Sequence, residues 1–88
     1  MKDTAQLKRI LEGAMLAAGE ILSLDRMQSL FPEEDPVGRA ELKEALQSLQ
    51  ADYEGRGIEL KELASGWQFQ ACQDLAPWMR KLWQERAP

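Results

Sequence analysis

The sequence predicts a mainly helical α+β domain: a helix, a short strand, two helices, a β-hairpin and a C-terminal helix. Two observations carry the prediction. Apolar residues recur at three- and four-residue steps through most of the chain, the period of an amphipathic helix. The stretch Tyr53 to Cys72 (YEGRGIELKELASGWQFQAC) alternates instead, on both sides of Ser65-Gly66. Two alternating runs joined by two residues that include a glycine form a hairpin. No repeat or low-complexity segment divides the 88 residues, so residues 1–88 are expected to form a single domain.

The first helix is expected from Thr4 to Ala18, with Leu7, Ile10, Leu11, Ala14, Met15 and Ala18 on its buried stripe. Asp3-Thr4-Ala5-Gln6 has the form of a capping box, with Asp3 as N-cap and Gln6 reaching back. Gly19 ends the helix. Gly13 costs about 1 kcal/mol relative to Ala inside a helix. It shares a flank with Ala17 one turn on, where another backbone can come close. Leu16 lies on the far side of the helix from the buried stripe.

Glu20-Ile21-Leu22 is a short extended piece. Ser23 then caps a second helix whose stripe is Leu24, Met27, Leu30 and Phe31, ended by Pro32. The loop from Pro32 to Gly38 holds three adjacent acids, Glu33, Glu34 and Asp35. With no histidine and no further ligand spacing, they are expected to be solvated rather than to hold a metal. The third helix, Arg39 to Glu54, buries Leu42, Ala45, Leu46, Leu49 and Tyr53.

Gly55 and Gly57 bracket the change from helix to strand. A two-residue loop at Ser65-Gly66 pairs Ala64 with Trp67, Glu62 with Phe69 and Leu60 with Ala71. Trp67 and Phe69 then share the core face. Asp74 is placed to cap a last helix running to about Arg86, with Pro77 in its first turn. Arg80, Lys81 and Arg86 lie toward its C-terminal end, the sign that the helix dipole favours. A helical core followed by a hairpin, with Ile21-Leu22 beside it as a third strand, is the winged-helix arrangement.

Composition narrows the function. Hydrophobic residues make up 44% and charged residues 30%, the balance of a globular domain rather than a disordered one. With no histidine, the usual general base near neutral pH is missing. Cys72 stands alone, so it forms no internal disulfide, and a packing role is expected for it. No phosphate-cradling glycine loop is present. An enzyme is therefore not expected, and neither a cofactor nor a metal. Lys8, Arg9 and Glu12 interrupt the apolar centre of the amino terminus, so neither a signal peptide nor a membrane span is expected. The expected location is the cytoplasm.

Winged helices often place the third helix in the DNA major groove. Here that helix carries Arg39 and Lys43 against Glu41, Glu44, Asp52 and Glu54, and the net charge of the chain is −4, so phosphates would be repelled. A DNA-binding transcriptional regulator is the alternative that the fold suggests and the charges oppose.

Protein–protein association is the better supported class. In the last helix Leu75, Met79 and Leu82 point one way, with Trp78 and Trp83 on opposite edges of that stripe. The apolar arc spans roughly 140°, wide for one small domain to cover. The candidate interface residues are Trp78, Trp83, Met79, Leu16, Gly13, Ala17 and Leu63. Tryptophan is enriched at interface hot spots.

Three segments also carry a family resemblance. LKRILEGAMLAAGEILSLDRMQSLF, ELKEALQSLQADYEGRGIELKELASGWQFQ and LAPWMRKLW, between Leu7 and Trp83, resemble the amino-terminal domain of segregation and condensation protein B (ScpB). The resemblance implies a winged-helix domain, the first of two, in a non-enzymatic accessory subunit of the bacterial condensin complex. It implies a homodimer formed through this domain, the kleisin ScpA as partner and, through ScpA, an SMC ATPase. It also implies action in chromosome condensation and segregation, in the cytoplasm on the nucleoid, with no catalytic residues. The chain stops at Ala87-Pro88, where the family continues into a second winged helix that supplies much of the ScpA contact. Lys61 stands where the family often has an apolar residue, which makes the Leu63 face more polar.

Overall fold

The Asp3 carboxylate accepts the Gln6 N–H at 2.7 Å and starts the first helix, α1 (Thr4–Ala18), over the predicted span. Only half of the predicted capping box forms. The Gln6 amide oxygen turns outward and accepts from Arg9 at 3.4 Å instead of reaching back. The computed structural model describes residues 3–85. Arg86 and the Ala87-Pro88 end lie outside the described residues.

Helix α2 (Leu24–Gln28) is shorter than predicted. The Ser23 hydroxyl caps it by accepting the Arg26 N–H at 3.1 Å. The Ser29 hydroxyl donates back to the Arg26 carbonyl at 2.6 Å, and Leu30 and Phe31 close tighter i to i−3 turns. Such side-chain bonding competes with the helical ladder, so the helix stops before Pro32 is reached. Met27 and Phe31 are buried, but Leu30, expected on the same stripe, is exposed.

The Gln28 side-chain amide donates to the Val37 carbonyl at 3.0 Å and pins the loop that brings Val37 into the core. Helix α3 (Arg39–Asp52) follows and buries Leu42, Ala45, Leu46 and Leu49. It ends two residues before the predicted Glu54, with Tyr53 as its C-cap.

Strands β1 (Ile58–Leu63) and β2 (Gly66–Ala71) pair antiparallel. The observed partners are Leu63 with Gly66, Glu62 with Trp67, Leu60 with Phe69 and Ile58 with Ala71. The predicted register is therefore wrong. The turn is Ala64-Ser65, and Gly66 begins β2. Steric need explains the shift. A Cβ on Gly66 would lie 2.4 Å from the Leu22 carbonyl oxygen, so the glycine serves a close backbone approach and not the turn. The pairing moved by two positions, which leaves each side chain on its predicted face.

Leu22 joins β2 through one bridge. Its N–H and carbonyl exchange bonds with Trp67, each at 3.0 Å. The predicted third strand is thus present as a single bridge. Of the two glycines after α3, Gly55 takes a positive φ of 80°. Gly57 does not, and its carbonyl accepts the Cys72 N–H at 3.0 Å.

A 3₁₀ turn (Gln73–Leu75) precedes helix α4 (Ala76–Glu85). Asp74 lies inside that turn rather than capping the helix, and Pro77 stands at the second residue of α4. The core fills the space between α1, α2, α3 and the hairpin, with Leu11, Met27, Leu42 and Leu46 fully enclosed. No polar or charged side chain is buried among the described residues. Helix α4 takes no part in that core, and none of its described side chains is buried. The Cα radius of gyration is 14.9 Å, with extents of 48 × 28 × 21 Å. A compact chain of this length has about 12 Å. The projecting α4 accounts for the excess.

Candidate functional site

Two apolar surfaces stay open, and the sequence-predicted residues divide between them. The first is α4. Trp78 is 67% exposed, Leu82 51% and Trp83 56%, while Met79 and Leu75 are half-buried. Only Leu75 and Met79 of the apolar arc are partly covered, and Leu82 and both tryptophan edges face solvent.

The second surface is a groove of about 340 Å³ between α1, the end of α3 and the hairpin. Gly13 and Leu16 line it from α1, Tyr53 from α3, and Ile58 and Phe69 from the hairpin. Arg9 and Glu12 are its charged members. Leu16 is 84% exposed and Ile58 41%. A Cβ added at Gly13 would meet nothing within 4 Å, so the glycine leaves an open notch in α1. Ala17 is exposed on α1 but outside this lining.

Two side-chain contacts tie the floor of the groove together. The Tyr53 ring meets Phe69 edge-on, with centroids 4.9 Å apart and planes at 60°. The Tyr53 hydroxyl donates to the Glu12 carboxylate and so ties α3 to α1. That hydrogen bond, partial burial and the Glu12 charge all favour the neutral phenol and raise its pKa above 10.0. The Arg56 guanidinium lies 5.7 Å from the Tyr53 ring centroid, at cation–π distance.

The structure does not bring Leu63 to either surface. Leu63 lines a separate hollow at the hairpin turn, with Arg39, Asp25 and Glu62. The five-residue step from Ile58 puts it about 16 Å from the groove end of β1. Conversely, Tyr53 and Phe69 were expected only as core-facing residues, and Ile58 was not singled out. All three are left partly open where the groove runs between α1 and the hairpin.

The chemistry of catalysis is thin among the described residues. Among these residues no group of three or more metal-ligating side chains gathers. Cys72 is a free thiol whose Sγ contacts the Arg56 carbonyl at 3.2 Å. Desolvation first, then Glu59 and Asp74, push its pKa up, which disfavours the nucleophilic thiolate. Among the described residues no helix is long and apolar enough to cross a membrane.

Several bases are already engaged. Lys8 Nζ binds Asp52 at 2.5 Å and Ser48 at 2.9 Å, Arg39 binds Asp25 at 2.5 Å, and Arg26 meets Glu20 at 3.5 Å. The exposed side of α3 sets Lys43 beside Glu44. A phosphate backbone would have to compete for these cations.

Residues 9–88 match the family model of the segregation and condensation complex subunit ScpB. The chain belongs to the ScpB family. It is 42% identical over 79 residues to a segregation and condensation protein B homolog of Coxiella burnetii, covering 90% of this chain and 38% of that protein. It is 36% identical over 86 residues to segregation and condensation protein B of Syntrophotalea carbinolica, covering 96% and 42%. The chain thus spans about two-fifths of the length of these curated relatives. The winged-helix fold matches a crystallised dimer of a ScpB N-terminal domain complexed with a ScpA peptide. That match has a TM-score of 0.75 and 33% identity, and covers 89% of this chain and 95% of that one.

Proposed function

We propose that this chain is the dimerising N-terminal domain of an accessory subunit of the bacterial SMC–kleisin condensin complex. The observation that carries the reading is the likeness to a ScpB N-terminal domain that forms a dimer and holds a ScpA peptide. The unpacked face of α4 supports it, because Trp78, Leu82 and Trp83 stay in water unless a second surface covers them. In this reading the domain works by contact, with itself and with the kleisin ScpA, and reaches the SMC ATPase through the kleisin. It acts in chromosome condensation and segregation in the cytoplasm, at the nucleoid, and performs no catalysis. The domain is the first of two winged helices in the full protein. The engaged bases and the acidic α3 argue against a DNA-binding regulator.

The test is sedimentation of the 88-residue chain together with calorimetric titration of a ScpA-derived peptide. A dimer at micromolar concentration and saturable peptide binding are expected. A clean monomer at high concentration would remove the dimerising role. Trp78→Ala or Trp83→Ala should give a folded monomer, and an unchanged dimer would reject α4 as the contact. Duplex DNA should not be retained even at low salt, where phosphate contacts are strongest.

A further inference from the structure

We infer that a second groove, of about 300 Å³ between the starts of α1 and α3, seats a lysine or arginine side chain of a partner protein. It shares no lining residue with the groove beside the hairpin. The inference goes beyond the dimer and kleisin contacts. The build of the groove, its charge and its shape carry it.

Helices α1 and α3 are tied together at their later turns. Lys8 Nζ reaches Asp52 at 2.5 Å and Ser48 at 2.9 Å, and the Tyr53 hydroxyl donates to Glu12. Nearer their starts, no hydrogen bond or ion pair among the described residues joins Thr4 to Glu41 or Glu44, and the groove lies open between the helices. Leu7 and Ala45, both buried, form its floor. Thr4, Glu41, Glu44 and Ser48 form its walls.

The lining carries two carboxylates and no base. At roughly 100° per residue, Glu41, Glu44 and Ser48 share one face of α3 while Lys43 falls on the other. Nearby bases are committed elsewhere, Lys8 to Asp52 and Arg39 to Asp25. Among the described residues none pairs with Glu41 or Glu44. Glu41 stands in the first turn of α3, where the positive end of the helix favours it. That effect fades beyond the first turn, so Glu44 gains little from it and is repelled by Glu41 one turn away. A cation set between the two relieves that repulsion.

An apolar floor under an acidic rim matches a long basic side chain, whose stem is apolar and whose head is charged. A calcium ion takes six to eight oxygen ligands, more than two carboxylates supply, and no group of three or more metal-ligating side chains gathers among the described residues. A groove of this size is at the lower end of the range for ligand pockets and admits a side chain rather than a helix. Lys8 stands across the closed end beside Ser48 and repels a second base there, so the occupant enters from the open end.

The probe is hexaarginine amide, titrated into the labelled 88-residue chain and followed by backbone amide NMR shifts. Saturable shifts confined to residues 4–7 and 41–48 are expected, with at least a tenfold loss of affinity in Glu41→Gln/Glu44→Gln at unchanged circular dichroism. Glu33→Gln/Glu34→Gln removes the same charge from the acidic loop and should bind like the parent chain. Equal weakening in both double variants reduces the effect to net charge and overturns the seat. Unchanged binding by Glu41→Gln/Glu44→Gln overturns it as well. Sedimentation of that variant keeps the dimer reading separate. Its dimer should be unaltered, whereas a weakened dimer assigns the groove to a second copy and overturns the inference. Displacement of hexaarginine by a ScpA-derived peptide assigns the groove to the kleisin, and overturns it too.

Discussion

The backbone of Leu22 occupies the space that a side chain on Gly66 would need. A Cβ there would sit 2.4 Å from the Leu22 carbonyl oxygen and 2.9 Å from Ser23 Cα, and Gly66 holds φ at 153°. Both neighbours are backbone, which has little freedom to move aside. The contact seats the hairpin on the bridge between Leu22 and Trp67, and so on the helical core.

Gly66→Ala should therefore destabilise the domain by about 2–4 kcal/mol, the combined effect of strained backbone and steric overlap. Urea unfolding followed by circular dichroism measures it. A loss below about 0.5 kcal/mol would mean that the bridge yields without consequence.

Tyr53 is the only tyrosine in the chain, so absorbance near 295 nm reports its ionisation alone. The midpoint should lie above the ordinary value of about 10 and fall toward it in Glu12→Ala. The folded pKa is raised, so the stabilisation from this pair is fully present below about pH 10 and is lost as pH rises through the raised value. Tyr53→Phe should flatten the fall in stability over that window. An unshifted midpoint in the folded protein would break the link between α3 and α1.

Leu11 and Leu16 share one helix with opposite surroundings. Leu11 is fully enclosed and Leu16 lies open. Leu11→Ala should cost about 2–5 kcal/mol of monomer stability, through lost transfer energy and the cavity left behind. Leu16→Ala should change it by less than about 0.5 kcal/mol and act on self-association instead. Unfolding at dilutions below the association range separates the two. Equal losses would contradict the burial pattern of α1.

Tryptophan fluorescence gives an independent reading of association. Trp67 is buried in the core, whereas Trp78 and Trp83 are open. In dilute solution iodide should quench the emission of the open pair and spare Trp67. Quenching should decline as concentration rises and α4 becomes covered. Accessibility that stays constant up to high concentration would show that α4 remains in water.

Much of the fold was legible because it rests on local rules. The apolar period of Leu7, Leu11 and Met15, the cap at Asp3 and the stop at Gly19 define α1 to the residue. Ser23 likewise starts α2 where its hydroxyl can accept an N–H. The misreadings arose where a distant group decided. The turn was assigned to Ser65-Gly66 because glycine suits turns, but Leu22, more than forty positions earlier in the chain, claims Gly66. The end of α2 was assigned to Pro32, although Ser29 ends it by bonding back to Arg26. Val37 gave no periodic signal, and the hydrogen bond from Gln28 carries it inward.

The sequence by itself determined the element order, the faces of each helix and strand, the acidic third helix and the wide apolar arc of the last helix. These follow from residue spacing and side-chain chemistry, which act over a few neighbours. Only the tertiary structure decided which apolar residues would remain in water. Leu60 is covered and Ile58 is not, though they share one face of one strand, because Leu60 lies over the core while Ile58, at the first position of β1, lines the open groove beside α1. Likewise α4, whose apolar arc predicted a contact, has no surface of its own chain beneath both tryptophans. Periodicity specifies that a face will be buried, but the length and placement of the other elements specify what is available to bury it.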